Sequence, residues 1–363
     1  MSDTLAAKRP AGKRIYYFDV LRMIGCLCAV LVHATSTFAG REIGSLNFWL
    51  AHVPNATARF VVPIFVMISG ALMLDEHYHF TVKKQTGHVV KMLCFFLFWS
   101  VLYSGLFNVL IPLRQGSSID VETTVRALIE GPYHLWFCFT IVGLYLIVPL
   151  LRLWVKPENK KYVLYFILLS LVFTFLIPQL VEHGGAVFSP IGVFYKTLDD
   201  LNLRYVGGYT AYFLTGWYLH NFDVRHKKTL YLLGIAGALV TVVGSVLISG
   251  LIGQKHMLYE HLSIHMFVES AALFVLIKNL FKDKAPEKTA VRTKIVMLFS
   301  ANSLGIYAAH VAVLDLLEKY LLVSMPHFDK VWVHSPVVFL IAVAVSLLIS
   351  MIMRKIPVLK KIT

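Results

Sequence analysis

Arg22 and His33 lie within the run FDVLRMIGCLCAVLVHATS (Phe18–Ser36), which is apolar enough to enter a bilayer. An ionisable group kept inside a membrane span is costly, so it marks a functional site by default. Imidazole titrates near neutrality and suits proton transfer; guanidinium stays charged and suits anion binding. Eleven residues of helix advance about 1100° and return to within about 20° of the start. The two side chains therefore share one helix face, roughly 16 Å apart along the axis. Asp19 stands three residues before Arg22, close enough to pair with it. Gly25 and Ala29 keep the face between them narrow, so a slender chain could lie there. A plainer reading also fits: Asp19–Arg22 as a snorkelling interfacial pair, and His33 as a hydrogen-bonding group facing a neighbouring helix.

Other polar residues interrupt apolar runs further along. Arg59 precedes Pro63 and the Ser69-Gly70 pair, where it could bind a sugar or anchor a helix end at the interface. His134 and Trp136 open another span; Trp136 could stack on a sugar, although aromatic belts place tryptophan at such depths anyway. His261, His265 and Glu269 recur every four residues, which on one helix predicts a shared face. An H-x-x-x-H pair could ligate a metal, but polar lining with Glu269 turned into the bundle is the expectation, with no metal. His310 and Asp315 are further polar groups, equally suited to structural hydrogen bonding. Cys26, Cys28, Cys94 and Cys138 all sit in apolar runs with no spacing that suggests a disulfide or zinc site.

The elements that carry these residues follow from composition. Of 363 residues 58% are hydrophobic and only 15% charged, against roughly 25% charged in a soluble domain. Lipid, rather than a large soluble core, is the expected solvent. Runs near 16–37, 50–74, 89–111, 134–153, 161–178, 206–220, 229–252, 258–280, 296–317 and 335–353 are long and apolar enough, or nearly so, to span. The sixth is the weakest, being short and containing Gly207, Gly208 and Gly216. The expected fold is all-α, a polytopic membrane protein of about ten helices forming a single domain over 1–363. Basic tails flank it at 1–15 and 354–363. The basic start mimics a signal peptide but lacks a cleavage site, so the first run is read as a retained span.

An even number of spans puts both termini on one side. Of the 34 basic residues, 24 fall on that side, 8 on the other, and Arg22 and Arg59 within spans. The positive-inside rule then makes both termini cytoplasmic. It also explains the net charge of +14 without nucleic acid.

Four segments together resemble the membrane acyltransferase-3 family: F-D-x-L-R-(x10)-H at the start, VPIFVMISGALML (Val62–Leu74), YHLWFCFTIVGLYLIVPLL (Tyr133–Leu151) and SANSLGIYAAH (Ser300–His310). Their order and spacing cover most of the chain. The resemblance implies ten helices in a bacterial cytoplasmic (inner) membrane. It also implies transfer of an acyl group, usually acetyl from cytoplasmic acetyl-CoA, to a hydroxyl of a surface glycan or its lipid-linked precursor. Essential roles are implied for Arg22 and His33, with Asp19 beside them, and His310 falls in a family motif. Family members commonly carry arginines after the second span; here Lys83, Lys84 and Lys91 stand in that region. Lysine can hold a phosphate but lacks the bidentate fork of arginine. Arg59, His134, Trp136, Glu269 and His310 are the expected acceptor-side residues. Helix number and buried charge would equally serve a transporter or exporter of a small organic acid or lipid-linked sugar, but no two-halves repeat is legible.

Overall fold

The computed structural model describes residues 14–36, 42–184, 207–252, 257–282, 284, 287, 289–321 and 330–362, and among them the regular structure is helical throughout. The helices run α1 (Tyr16–Ser36), α2 (Leu46–Ala56), α3 (Val61–Met73), α4 (Val82–Ser104) and α5 (Val121–Glu130). Then follow α6 (Trp136–Trp154), α7 (Lys160–Ser170), α8 (Tyr209–Asn221) and α9 (Lys227–Leu239). The chain closes with α10 (Ile264–Phe281), α11 (Val291–Leu316) and α12 (Val331–Lys355). Of the sequence expectations, the tail before Arg14 and the basic residues Arg41, Lys196, Arg204, Lys255 and Lys288 lie outside the described residues.

Among the described residues, nine helical stretches are long and apolar enough to cross a membrane. The sixth run of the sequence reading, the one not among these nine, becomes α8, only 13 residues long. It is buried along nearly its whole length and packs chiefly against α3. Two glycines allow that contact. A side chain at Gly70 would run into the backbone of Phe213, and one at Gly216 into that of Met67. The two backbones thus approach as closely as small residues permit.

Helix α1 is central, packing against α2, α3, α10, α11 and α12. Its first half joins α3, α6, α8 and α10 in one apolar cluster, and its second half joins α11 and α12 in another. The second predicted span is interrupted: α2 ends at Ala56, and α3 starts at Val61 after a turn that carries Arg59. Ser45 caps α2 and Thr81 caps α4, each accepting a backbone N–H three residues on. The eighth predicted span starts later than expected, at Ile264, so His261 lies in the non-helical approach to α10. His261, His265 and Glu269 therefore do not share a helix face.

Segments assigned to one side of the bilayer meet each other. At the end that holds the termini, Arg152 Nη1 donates to the carbonyls of Met73 and Asp75 at 2.7 and 2.9 Å. Lys278 donates to the Leu219 carbonyl at 2.7 Å and pairs with Asp223 at 3.3 Å. Burial opposes ionisation of Asp75 in this layer, but hydrogen bonds with His220 and His77 outweigh it and bring its carboxyl to about 2. At the other end, Gln179 bonds His265 at 2.8 Å and Arg59 lies over the Tyr259 ring at 4.1 Å.

Candidate active site

The functional face of α1 begins at Asp19, which is buried. Arg14, just ahead of the helix, grips both its oxygens at 2.7 and 2.9 Å, and Ser300 Oγ of α11 donates to it at 2.6 Å. Arg22 reaches it only at 3.7 Å. The expected Asp19–Arg22 pair is thus secondary. Off the helix, Arg14 can align its planar fork with the carboxylate; Arg22, one turn along the same helix, cannot. Arg22 keeps most of its hydrogen-bonding capacity for the space it faces.

Three turns on, His33 sits among other rings. Tyr133 Oη lies 3.0 Å from its Nδ1. The His310 ring is centred 5.1 Å away and the His134 ring 6.4 Å away. Carbonyl partners fix the state of both neighbours, because a carbonyl only accepts. His310 Nδ1 donates to Tyr307 O at 2.6 Å, and His134 Nε2 to Ala308 O at 3.3 Å. The remaining nitrogens, His310 Nε2 and His134 Nδ1, are buried acceptors with no partner among the described residues. Among the described residues, no group of three or more His, Cys, Asp or Glu side chains is arranged to hold a metal ion.

A cavity of about 410 Å³ runs along this face, with both Arg22 and His33 in its wall. Ala29, Val32, Phe65, Met92, Phe137 and Ile141 give it an apolar middle. The gap expected at Gly25 is filled by the Phe65 ring, which would stand 3.0 Å from a Cβ added there. The open path passes along Ala29 and beside Phe65. Near His33 the wall also includes Arg59, Tyr133, His134, Trp136 and His261, and Trp136 stacks on His261 with centroids 5.8 Å apart.

Arg59 is held on two sides. Its Nε and Nη2 donate to Asn55 Oδ1 at 2.9 and 2.6 Å, and its plane rests on Tyr259. Asn55 in turn donates to Val32 O at 2.7 Å and to Thr35 Oγ1 at 3.0 Å, tying the guanidinium to the turn that carries His33.

The model of the family described as "Acyltransferase domain" matches residues 15–355 of the chain. The chain belongs to the membrane acyltransferase-3 family. No curated protein and no solved structure gives a match. The family establishes a multi-pass membrane acyltransferase, with an acyl donor, an acyl acceptor and lipid around it. Within this acyltransferase the cavity gathers Arg22, His33, Arg59, His134 and Trp136 from the sequence expectations. His310 stands behind His33, packed against its ring and fully buried. Asp19 stands behind Arg22.

The other expectations fall outside the cavity wall. Glu269 is buried on α10, and its Oε2 has no partner among the described residues. Lys83 and Lys84 are exposed on the first turn of α4, where Lys84 donates to His79 O at 3.2 Å. Lys91, half-buried on α4, is likewise not in the wall. His265 bonds Gln179 and Ser263, and Asp315 pairs with Lys319 at 3.2 Å. Sequence reasoning missed Tyr133, Asn55 and Tyr259. Tyr133 directly precedes His134, and Asn55 lies one helical turn before Arg59, the only local signals that pointed to them.

Proposed function

We propose that this acyltransferase moves an acetyl group from cytoplasmic acetyl-CoA to a hydroxyl of a cell-surface polysaccharide or its lipid-linked precursor, from the bacterial cytoplasmic membrane. The observation that carries the reading is a single cavity walled by both Arg22 and His33. A donor with phosphates at one end and a thioester at the end of a thin arm fits such a space. Arg22 in the cavity wall, with Lys83, Lys84 or Lys91 from the cytoplasmic side, binds phosphate at the cytoplasmic end. The pantetheine arm lies along Ala29 and Phe65, and the thioester comes to His33.

His33 takes the proton of the acceptor hydroxyl as that oxygen attacks the thioester carbon. When the C–S bond breaks, the imidazolium returns the proton to the departing CoA sulfur. Tyr133 Oη on Nδ1 orients the ring. The Nδ1 of His134, in the cavity wall, supplies an acceptor for a hydroxyl or amide N–H donor of the substrates, while His310 backs the His33 ring. Trp136 and His261 offer a stacked platform for a sugar face. Transfer through an acetyl-imidazole on His33 uses the same groups in two steps.

His33→Ala should abolish incorporation of label from acetyl-CoA into membrane glycans while the protein still inserts. Retained activity would overturn the assignment. Arg22→Ala should weaken donor binding; an unchanged donor affinity would make Arg22 a helix anchor. Rapid quench with donor alone separates the two routes, since only covalent transfer accumulates acetyl-enzyme. Glycan movement that needs no acetyl-CoA would favour export instead.

A further inference from the structure

We infer that Arg59 is a catalytic residue of this transfer, supplying the donors that hold the negative oxygen formed when the acceptor attacks the thioester. The inference rests on the acetyl-transfer reading above and adds to it the group that stabilises the charge. Attack on an acyl carbon forms a C–O bond and moves the carbonyl electron pair onto oxygen. Collapse returns that pair to the carbon–oxygen bond and expels the CoA sulfur, which leaves with the proton carried by His33. The oxygen is anionic only between those events. Preorganised donors aimed at it are therefore worth more in the transition state than in the ground state.

Arg59 has the properties such a donor needs. It shares the cavity wall with His33. A guanidinium has five N–H groups; two are spent on Asn55 Oδ1, leaving three without a partner among the described residues. Among the described residues no carboxylate is in ion-pair contact with it; the Glu260 charge acts on it only from beyond that range. It is also rigid. Asn55 fixes its edge and Tyr259 its face, while Tyr259 is itself fixed by His52 Nδ1 at 2.6 Å, and His52 by Val242 O at 2.8 Å. The bond from Asn55 to Val32 O sets the guanidinium in register with the residue that precedes His33. An arginine that merely anchored a helix end would snorkel into solvent rather than be clamped in a cavity wall.

The test uses the full-length protein in native membranes and in detergent, with three donor-side probes. These are acetyl-CoA, S-ethyl-CoA, which lacks the carbonyl, and a CoA analogue bearing a tetrahedral anionic methylphosphonyl group in place of acetyl. Wild-type transfer from labelled acetyl-CoA checks the underlying reading, and its absence would overturn that reading first. With wild type active, Arg59→Gln should lower kcat on the order of 10²–10³-fold, with the KM for acetyl-CoA within about threefold of wild type. It should lose affinity for the phosphonyl analogue by a similar factor while S-ethyl-CoA binds as before. Arg59→Ala should recover turnover in added guanidinium chloride, a response that a folding defect would not give; size exclusion in detergent confirms that both variants are folded. Equal binding of the phosphonyl analogue by wild type and Arg59→Gln would overturn the inference. A raised KM for the glycan acceptor at unchanged kcat would overturn it too, and would make Arg59 the seat of a permanent anion on the acceptor.

Discussion

Among the described residues the hydrogen bond at His33 Nδ1 is made with Tyr133 Oη, and it defines an experiment at the scale of one hydroxyl. Tyr133→Phe keeps the ring and removes the hydrogen bond that orients the imidazole. A neutral hydrogen bond contributes about 0.5–1.5 kcal/mol, so kcat should fall by up to about tenfold. Donor affinity measured by equilibrium binding should be unchanged. At this scale the sequence was informative where partners share one helix. The common face of Arg22 and His33 follows from helical geometry, and both line the cavity. It was uninformative where the partner comes from elsewhere, as with Tyr133, a hundred positions from His33. It gave the Asp19–Arg22 pair, which the structure has at 3.7 Å, but not the closer pairing of Asp19 with Arg14. Spacing identifies which side chains can meet, but not which competitor has the better geometry.

Helices were legible in proportion to their exposure to lipid. The nine long stretches announce themselves by hydropathy, because a span that touches lipid must be apolar for about 20 residues. Helix α8 touches mostly protein. It needs neither the length nor the uniform hydropathy, and its glycines read as weakness rather than as close packing. The break at residues 57–60 and the late start of α10 were hidden for the same reason: non-helical backbone inside a bundle is satisfied by its neighbours, not by composition. The Gly216 contact gives the prediction for this scale. Gly216→Val places branched carbons against the Met67 backbone, which should cost about 3 kcal/mol or more by overpacking. The expected outcome is a clear loss of monodisperse protein on size exclusion in detergent. Gly143→Ala, where an added carbon meets nothing within 4 Å, should elute as wild type.

For the whole molecule, the charge bias orders the two ends, and the contacts between loops respect that order. Sidedness itself is open to a direct measurement. In a background with the exposed Cys94 replaced by Ala, cysteines are placed at Glu122 on α5 and at Lys355 at the end of α12, both exposed. A membrane-impermeant maleimide should label Glu122→Cys in intact spheroplasts and Lys355→Cys only after permeabilisation. The reverse pattern would invert the topology. One consequence of the cavity then concerns the energy economy of the cell. A passage that carried the proposed acyl arm most of the way through a membrane would also be a potential short circuit for protons and sodium driven inward by the membrane potential. Here a guanidinium stands toward each end, Arg22 at one and Arg59 at the other. On the proposed reading, positive charge at both ends would oppose the entry of cations, so that acyl transfer across the bilayer need not dissipate the ion gradient.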